Sequence, residues 1–174
     1  MDIRLRAVEL SDIDRIYEWE NDFSLWNLSS NRSPFSRYAI ENYVMSTQNQ
    51  DIYTSKQFRF MIDLIEVVDN YKSIACVGCI DLYDFEPDNM KAGIGILIDN
   101  NHRKKGIASL AIIELAKYSK NILHLNQLYA FVPQDNHNSI KLFSNVGFQK
   151  TSCLKQWIKK NNSFIDVLVF QKYL

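Results

Sequence analysis

Disulfide chemistry has little to work with in this chain. Its 174 residues hold three cysteines, an odd number, which argues against a disulfide framework and agrees with a reducing compartment. Charge of one sign is not in excess either: twenty Lys and Arg balance twenty Asp and Glu. No general electrostatic field therefore suggests a nucleic-acid or membrane partner, and the basic cluster at residues 102–105 is a local feature. No apolar run approaches the ~18 residues needed to span a bilayer, and the opening Met-Asp-Ile-Arg-Leu-Arg lacks the apolar core of a signal peptide. Internal repeats and low-complexity segments are missing too. Length and a hydrophobic content of 47% predict one cytoplasmic globular domain over residues 1–174.

Metal chemistry finds no constellation. His102, His124 and His137 are scattered through loops and helix ends. Cys76-Val-Gly-Cys79 spells C-x-x-C, but no second pair completes a four-ligand site. An offset of three on a strand also points the two thiols to opposite faces, so the pair reads as structural.

What is present alternates between strand and helix signals. Ile3–Ala7 alternates like a strand. Ser11 can cap a helix with Asp14 three residues on, and that helix ends near Glu20-Asn-Asp22. A loop over 23–35 leads to a helix over 36–45, and 47–55 is polar and exposed. Arg59–Val67, Ile74–Asp84 and Ala92–Asp99 predict three antiparallel strands separated by the turns at 69–72 and 86–89. Ile107, Leu110, Ala111, Leu115 and Tyr118 keep the rhythm of an amphipathic helix. Gln127–Val132 follows as a strand, then a helix over 138–146 closed by Gly147, then a hairpin of 150–157 with 164–172. Strand 92–99, helix 106–119 and strand 127–132 form a β-α-β unit whose strands run parallel. The class is α/β, a mixed central sheet with helices along it.

The segment His102-Arg-Lys-Lys-Gly-Ile-Ala-Ser-Leu-Ala-Ile-Ile-Glu-Leu115 joins strand to helix through Gly106. Unpaired N–H groups and the helix dipole make such a junction an anion site, and glycine lets a phosphate approach the main chain. The segment is neither a Walker A loop nor G-x-G-x-x-G, so the phosphate is held and not transferred.

Arg103-Lys-Lys-Gly106-Ile-Ala108 resembles the R/Q-x-x-G-x-G/A motif of the GNAT superfamily of acyl-coenzyme-A-dependent N-acetyltransferases. Asn136-His-Asn-Ser139-Ile-Lys-Leu-Phe143-Ser-Asn-Val-Gly147-Phe148 resembles the second signature of that family. Nearly the whole chain follows its element order, nearest to the branch of spermidine and ribosomal-protein N-acetyltransferases. The resemblance implies the GNAT fold, a mostly antiparallel sheet with splayed parallel strands and helices on both faces. It implies acetyl-CoA as cosubstrate, no metal, a small-molecule or peptide amine as acceptor, and a possible homodimer.

Carried onto this sequence, the resemblance puts Ile96, Leu97 and Ile98 on the pantetheine arm by their main chain. Backbone amides of Lys104, Lys105, Gly106, Ile107 and Ala108 cradle the pyrophosphate, with cationic side chains from Arg103 and Lys105. Asn136, Ser139, Lys141 and Phe143 complete the coenzyme contacts. The usual glutamate position holds Gly93 and the usual tyrosine position holds Phe143. A base from elsewhere (Glu20, Asp22, Asp81 or Asp84), proton transfer through water, or a coenzyme-A-binding sensor without turnover remain as alternatives. Ser144 is a further candidate donor, though an exposed helix serine is the plainer reading. The acceptor loop 23–35 has no carboxylate, and Arg32 in it repels a polycation. Phe23, Trp26 and Phe35 form either an aromatic wall for a small amine, aminosugar or peptide N-terminus, or simple packing under the loop; a polyamine stays open as acceptor.

Overall fold

In the computed structural model, which describes residues 2–26, 33–68, 71–160 and 162–174, one seven-stranded sheet runs in the order β1-β2-β3-β4-β5-β7-β6. The strands are β1 (Asp2–Ala7), β2 (Phe58–Val68), β3 (Tyr71–Glu86), β4 (Lys91–Ile98), β5 (Gln127–Pro133), β6 (Gln149–Lys160) and β7 (Ser163–Tyr173). The helices are α1 (Ile13–Glu20), α2 (Phe23–Trp26), α3 (Arg37–Thr47), α4 (Ile52–Ser55), α5 (Ile107–Asn121) and α6 (His137–Asn145). Every neighbouring pair of strands is antiparallel except β4 with β5. Among the described residues, no helix is long and apolar enough to cross a membrane.

Side-chain alternation sends the two faces of the central strands to different helices. Phe60, Ile62 and Leu64 of β2 join Ile107, Ala111, Ile112 and Leu115 of α5 and Phe143 of α6 in one core. Met61 of β2 and Cys79 of β3 face the other way, against Ile16, Trp19, Leu25, Ile40 and Val44 from α1, α2 and α3. Each of these buried aliphatic side chains contributes about 1.5–3 kcal/mol of apolar transfer free energy.

Two local expectations fail for physical reasons. Ser11 does not cap α1. It lies inside a 3₁₀ turn at Leu10–Asp12, and the Glu9 N–H donates to the Asp12 carboxylate at 2.8 Å instead. The thiols of the C-x-x-C pair do not point to opposite faces. Ile62 pairs with Gly78 but Asp63 with Cys76, so Val77 is an extra bulge residue that shifts the alternation. Cys76 and Cys79 thus both turn toward Met61, while Val77 joins the α5 core. Two segments read as loop or polar stretch carry short helices, α2 and α4, the latter capped by Asp51 and anchored by buried Ile52. Part of the acceptor loop, including Arg32, part of the turn expected at 69–72 and part of the connection between the hairpin strands expected at 150–157 and 164–172 lie outside the described residues.

The feature that creates the site is a fork. β4 and β5 pair at three positions only, Lys91 with Gln127, Ala92 with Leu128 and Gly93 with Tyr129. Beyond Gly93 they diverge, because β5 stays paired with β7 from Gln127 to Pro133 while β4 stays paired with β3 up to Ile98.

Candidate active site

A cavity of about 760 Å³ opens in the fork and continues between β4 and helices α1 and α2. One wall is the β4 edge, Gly95 to Ile98, which past Gly93 has lost its β5 partner. Another is the first turn of α5. Gly106 there takes the left-handed conformation (φ 82°) and no side chain caps the helix. The N–H groups that open α5 therefore face the cavity without intrahelical acceptors. A strand edge of amides beside a helix N-terminus suits an elongated ligand that carries amides along its arm and an anionic group at its end.

Most of the expected coenzyme contacts converge on this cavity. Ile96, Leu97, Ile98, Arg103, Lys104, Gly106, Ile107, Ala108, Asn136, Ser139 and Lys141 all line it. Four of the expected contacts differ from expectation. The Arg103 Nε donates to the Ile98 carbonyl at 2.9 Å, so this side chain folds back to fix the turn. The Asn136 side-chain oxygen accepts from the Ser139 N–H at 3.1 Å and serves as the cap of α6. Lys105 is exposed and lies outside the cavity lining, and Phe143 is buried in the core against Phe148 and Phe170. Aromatic packing behind α6 holds that ring away from the cavity. Ser144 is exposed on α6 and does not line the cavity either.

Of the carboxylates considered, Glu20 and Asp81 line the cavity and Asp22 and Asp84 do not. Asp22 accepts from the Ser24 N–H at 2.8 Å and opens α2. Asp84 receives the Tyr129 hydroxyl at 3.4 Å at a bulge near the end of β3. Glu20 and Asp81 share one partner that sequence reasoning missed. Arg59 Nη1 donates to Glu20 at 2.8 Å, and its Nε and Nη2 grip Asp81 at 2.8 and 2.9 Å. The guanidinium also lies over the Tyr43 ring, 5.6 Å from its centroid. Burial opposes the Arg59 cation, but Cys79, Asp81 and Tyr43 around it keep its pKa well above the ordinary value. Burial pushes the Cys79 thiol up to about 12, so it is protonated at neutral pH and no nucleophile.

At Gly93, where the resemblance expects a glutamate, the surroundings leave no room for a side chain. A Cβ built on Gly93 would lie 2.2 Å from Cε2 and 2.5 Å from Cζ of Tyr83. That ring crosses from β3 over Gly93, and burial raises its phenol to about 12. At Gly95, two residues on, only Tyr83 Cε1 lies within 4.0 Å of such a Cβ, so open space faces Asp81, the β3 residue in register with it.

Of the aromatic wall, Trp26 lines the cavity, its indole N–H held by the Glu20 carbonyl at 2.8 Å. Phe23 and Phe35 do not line it. Phe23 is exposed and packs on Trp26 at 4.6 Å, and Asn21 clamps the Phe35 main chain from both sides, at 2.8 and 3.1 Å. Trp19 and Leu25 supply the apolar surface instead, together with Trp26. Among the described residues no group of three or more His, Cys, Asp or Glu is placed to hold a metal ion.

Comparison with known proteins agrees with this geometry. The acetyltransferase (GNAT) domain matches residues 2–149. The uncharacterized N-acetyltransferase p20 of Bacillus licheniformis is 29% identical over 168 residues, 97% of this chain and 90% of that protein. The spermidine N(1)-acetyltransferase of Escherichia coli (strain K12) is 22% identical over 146 residues, 84% of this chain and 72% of that one. In fold, the crystal structure of spermidine N-acetyltransferase from Vibrio cholerae in complex with CoA and spermine superposes with a TM-score of 0.81 at 23% identity, covering 98% of this chain and 95% of the other.

Proposed function

Because the chain belongs to the GNAT acetyltransferase family, we propose that it transfers the acetyl group of acetyl-CoA directly to a primary amine, with residues 1–174 acting as one domain. The observation that carries this reading is the coincidence, in one cavity, of the uncapped α5 N-terminus with the unpaired β4 edge. Acetyl-CoA, when bound, supplies an activated thioester. Amides of α5 and its preceding turn hold the pyrophosphate, Lys104 and Lys141 add positive charge, and the main chain of Ile96–Ile98 pairs with the pantetheine arm.

That arrangement brings the reacting end of the arm to Gly95, where the absence of a side chain leaves room for the acceptor beside Asp81. An amine with a pKa near ~10 must lose a proton to attack. Asp81, or water held between Asp81 and Glu20, receives that proton as the new C–N bond forms and the C–S bond breaks. No tyrosine acid is needed where Phe143 stands, since a thiol of pKa ~8.5 leaves as thiolate with modest help. Positioning does the larger share.

The test is to titrate acetyl-CoA calorimetrically and then follow free thiol with an amine panel. Binding with amine-dependent thiol release supports the reading. Binding without turnover favours the coenzyme-binding sensor, and absence of binding removes both. Self-association to a homodimer is part of the same reading and is measured by light scattering.

A further inference from the structure

One nitrogen in the cavity wall lacks a partner. Among the described residues, the buried side-chain polar atoms without a hydrogen bond are His102 Nδ1 and Ser119 Oγ, and of these two residues only His102 lines the cavity. Local structure sets its position. Asp99 caps the 3₁₀ turn Asn100–His102 by accepting the Asn101 N–H at 2.9 Å, and the His102 N–H donates to the Asp99 carbonyl at 2.9 Å. Residues three apart eclipse in such a turn, so imidazole and carboxylate fall on one side. His102 Nδ1 lies 3.6 Å from Asp99 Oδ1, too far for a hydrogen bond. Burial opposes the Asp99 charge, but the Asn101 N–H, Trp19 and His102 hold its carboxyl below the ordinary range. The ring thus has one edge buried against an ionised carboxylate while 28% of the side chain is open, in a lining that includes Lys104 and Gly106.

We propose that His102 is a further coenzyme contact that works as a proton switch: with acetyl-CoA bound, the imidazole takes up a proton from solvent, donates through Nδ1 to Asp99 and through Nε2 to an anionic oxygen of the coenzyme. This deepens the acetyltransferase reading and rests on it. A neutral imidazole has one N–H and serves one edge, whereas imidazolium has a donor on each. The neighbouring Arg103 is turned back onto the Ile98 carbonyl, so the side chain beside it in the wall is the one left to reach the ligand.

Described cations near the ring disfavour its charge in the free protein: Arg15 on α1, 3.9 Å from Asp99 Oδ2, Arg103 and Lys104 on its own loop, and Lys141 on α6 in the same lining. Phosphate charge offsets them. Binding then favours the protonated ring, so the added affinity is complete at low pH and is lost as pH rises through the titration of the bound form.

The experiment titrates acetyl-CoA calorimetrically into the wild-type protein and His102→Gln, each in HEPES and in Tris, whose ionisation enthalpies differ enough to count protons. One charge-assisted hydrogen bond gives imidazolium at least about a 10-fold preference over imidazole. For a histidine that amounts to roughly 0.4 proton taken up at about pH 7.5, and to a Kd that rises about 6-fold more between about pH 6 and 8 than in the variant. The coenzyme's own phosphates titrate alike against both proteins, so the difference belongs to His102. A second measurement needs only the wild-type protein: the titration midpoint of the His102 ring, followed by NMR, is expected to rise by about one pH unit or more on binding acetyl-CoA. An unmoved midpoint, or equal proton counts in two folded proteins, overturns the proposal while leaving coenzyme binding standing. So does a loss of affinity in His102→Gln that is the same at every pH, which is what a merely structural residue gives. Failure to bind acetyl-CoA counts against the acetyltransferase reading itself and removes this proposal with it.

Discussion

Gly93→Ala is expected to destabilise the protein, although the same change in an ordinary strand stabilises it. Gly93 sits in β4 at the last pair before the fork, and alanine in extended backbone is normally favoured over glycine by about 0.5–1 kcal/mol through the unfolded chain. Here the new methyl would meet three Tyr83 ring atoms at 2.2, 2.5 and 2.7 Å. The ring has little room to yield, since it packs edge-on against Tyr129 with centroids 6.0 Å apart. With three contacts under 3 Å, overpacking here costs about 1.5–3 kcal/mol, which leaves a net loss of about 1–2 kcal/mol. In a Tyr83→Ala background the clash is gone and the sign reverses, to a gain of about 0.5–1 kcal/mol. The coupling energy from the double-mutant cycle is then about 1.5–3 kcal/mol. Urea denaturation reads all four proteins, and with a slope near ~2 kcal/mol/M the single variant shifts its midpoint down by roughly 0.5–1 M. If Gly93→Ala has the same effect in both backgrounds, Tyr83 does not fill the glutamate position and the explanation for Gly93 is wrong.

Gly106→Val places a β-branched residue at φ 82° and crowds the amides that open α5. The dissociation constant for acetyl-CoA, measured by calorimetry on protein that is still folded, should rise at least ~10-fold; a lowered melting temperature with unchanged affinity would assign Gly106 to folding alone. Asp12 is buried, and although burial opposes its charge, Arg6 at 2.6 Å and the Glu9 N–H hold its carboxyl below the ordinary range. Its stabilisation is therefore complete above the unfolded value of ~3.9 and lost as pH falls through the lower folded value. Asp12→Asn should cost about 3 kcal/mol at pH 7 and flatten the acid limb of a stability-pH curve below about pH 4; an unchanged limb refutes the assignment. Amide exchange over Ile96–Ile98 should slow by roughly 100-fold at acetyl-CoA concentrations about 100 times Kd, where exchange proceeds through the free protein. Protection confined to α5 would mean that β4 does not hold the ligand.

Element order was legible because it rests on local pattern. Alternation marks β2 to β4, three-and-four spacing marks α5, and Gly147 at φ 89° ends α6 where a left-handed residue was expected. The α5 end of the cavity was legible for the same reason, since its parts lie within two contiguous signatures. What escaped depends on residues distant in sequence. Arg59 looks like one cation in an alternating strand, and its partners Glu20 and Asp81 are 39 and 22 residues away. The relation of Cys76 to Cys79 turned on a single bulge at Val77, which no residue type in the segment announces. Phe143 and Lys105 occupy motif positions, but whether a motif side chain reaches the cavity depends on packing behind the helix, here Phe148 and Phe170.

The fork itself follows from how strongly each strand is held on its outer side. β5 is bound to β7 along seven consecutive register positions, from Gln127 with Tyr173 to Pro133 with Val167, and this fixes its direction. β4 is bound as firmly to β3, and Gly78 brings the two so close that a Cβ there would lie 2.2 Å from the Leu97 carbonyl oxygen. Right-handed twist turns the two halves of the sheet apart, and only Lys91–Gly93 bridge them. The strand edge released beyond Gly93 cannot stay unpaired in a cleft without cost, since each buried main-chain donor requires a partner. Side chains supply little of that pairing: the Arg103 bond to the Ile98 carbonyl is the side-chain contact seen along this edge among the described residues. An edge left open by the packing on either side of it, rather than by any residue within it, is what makes β4 a template for a ligand with amides of its own.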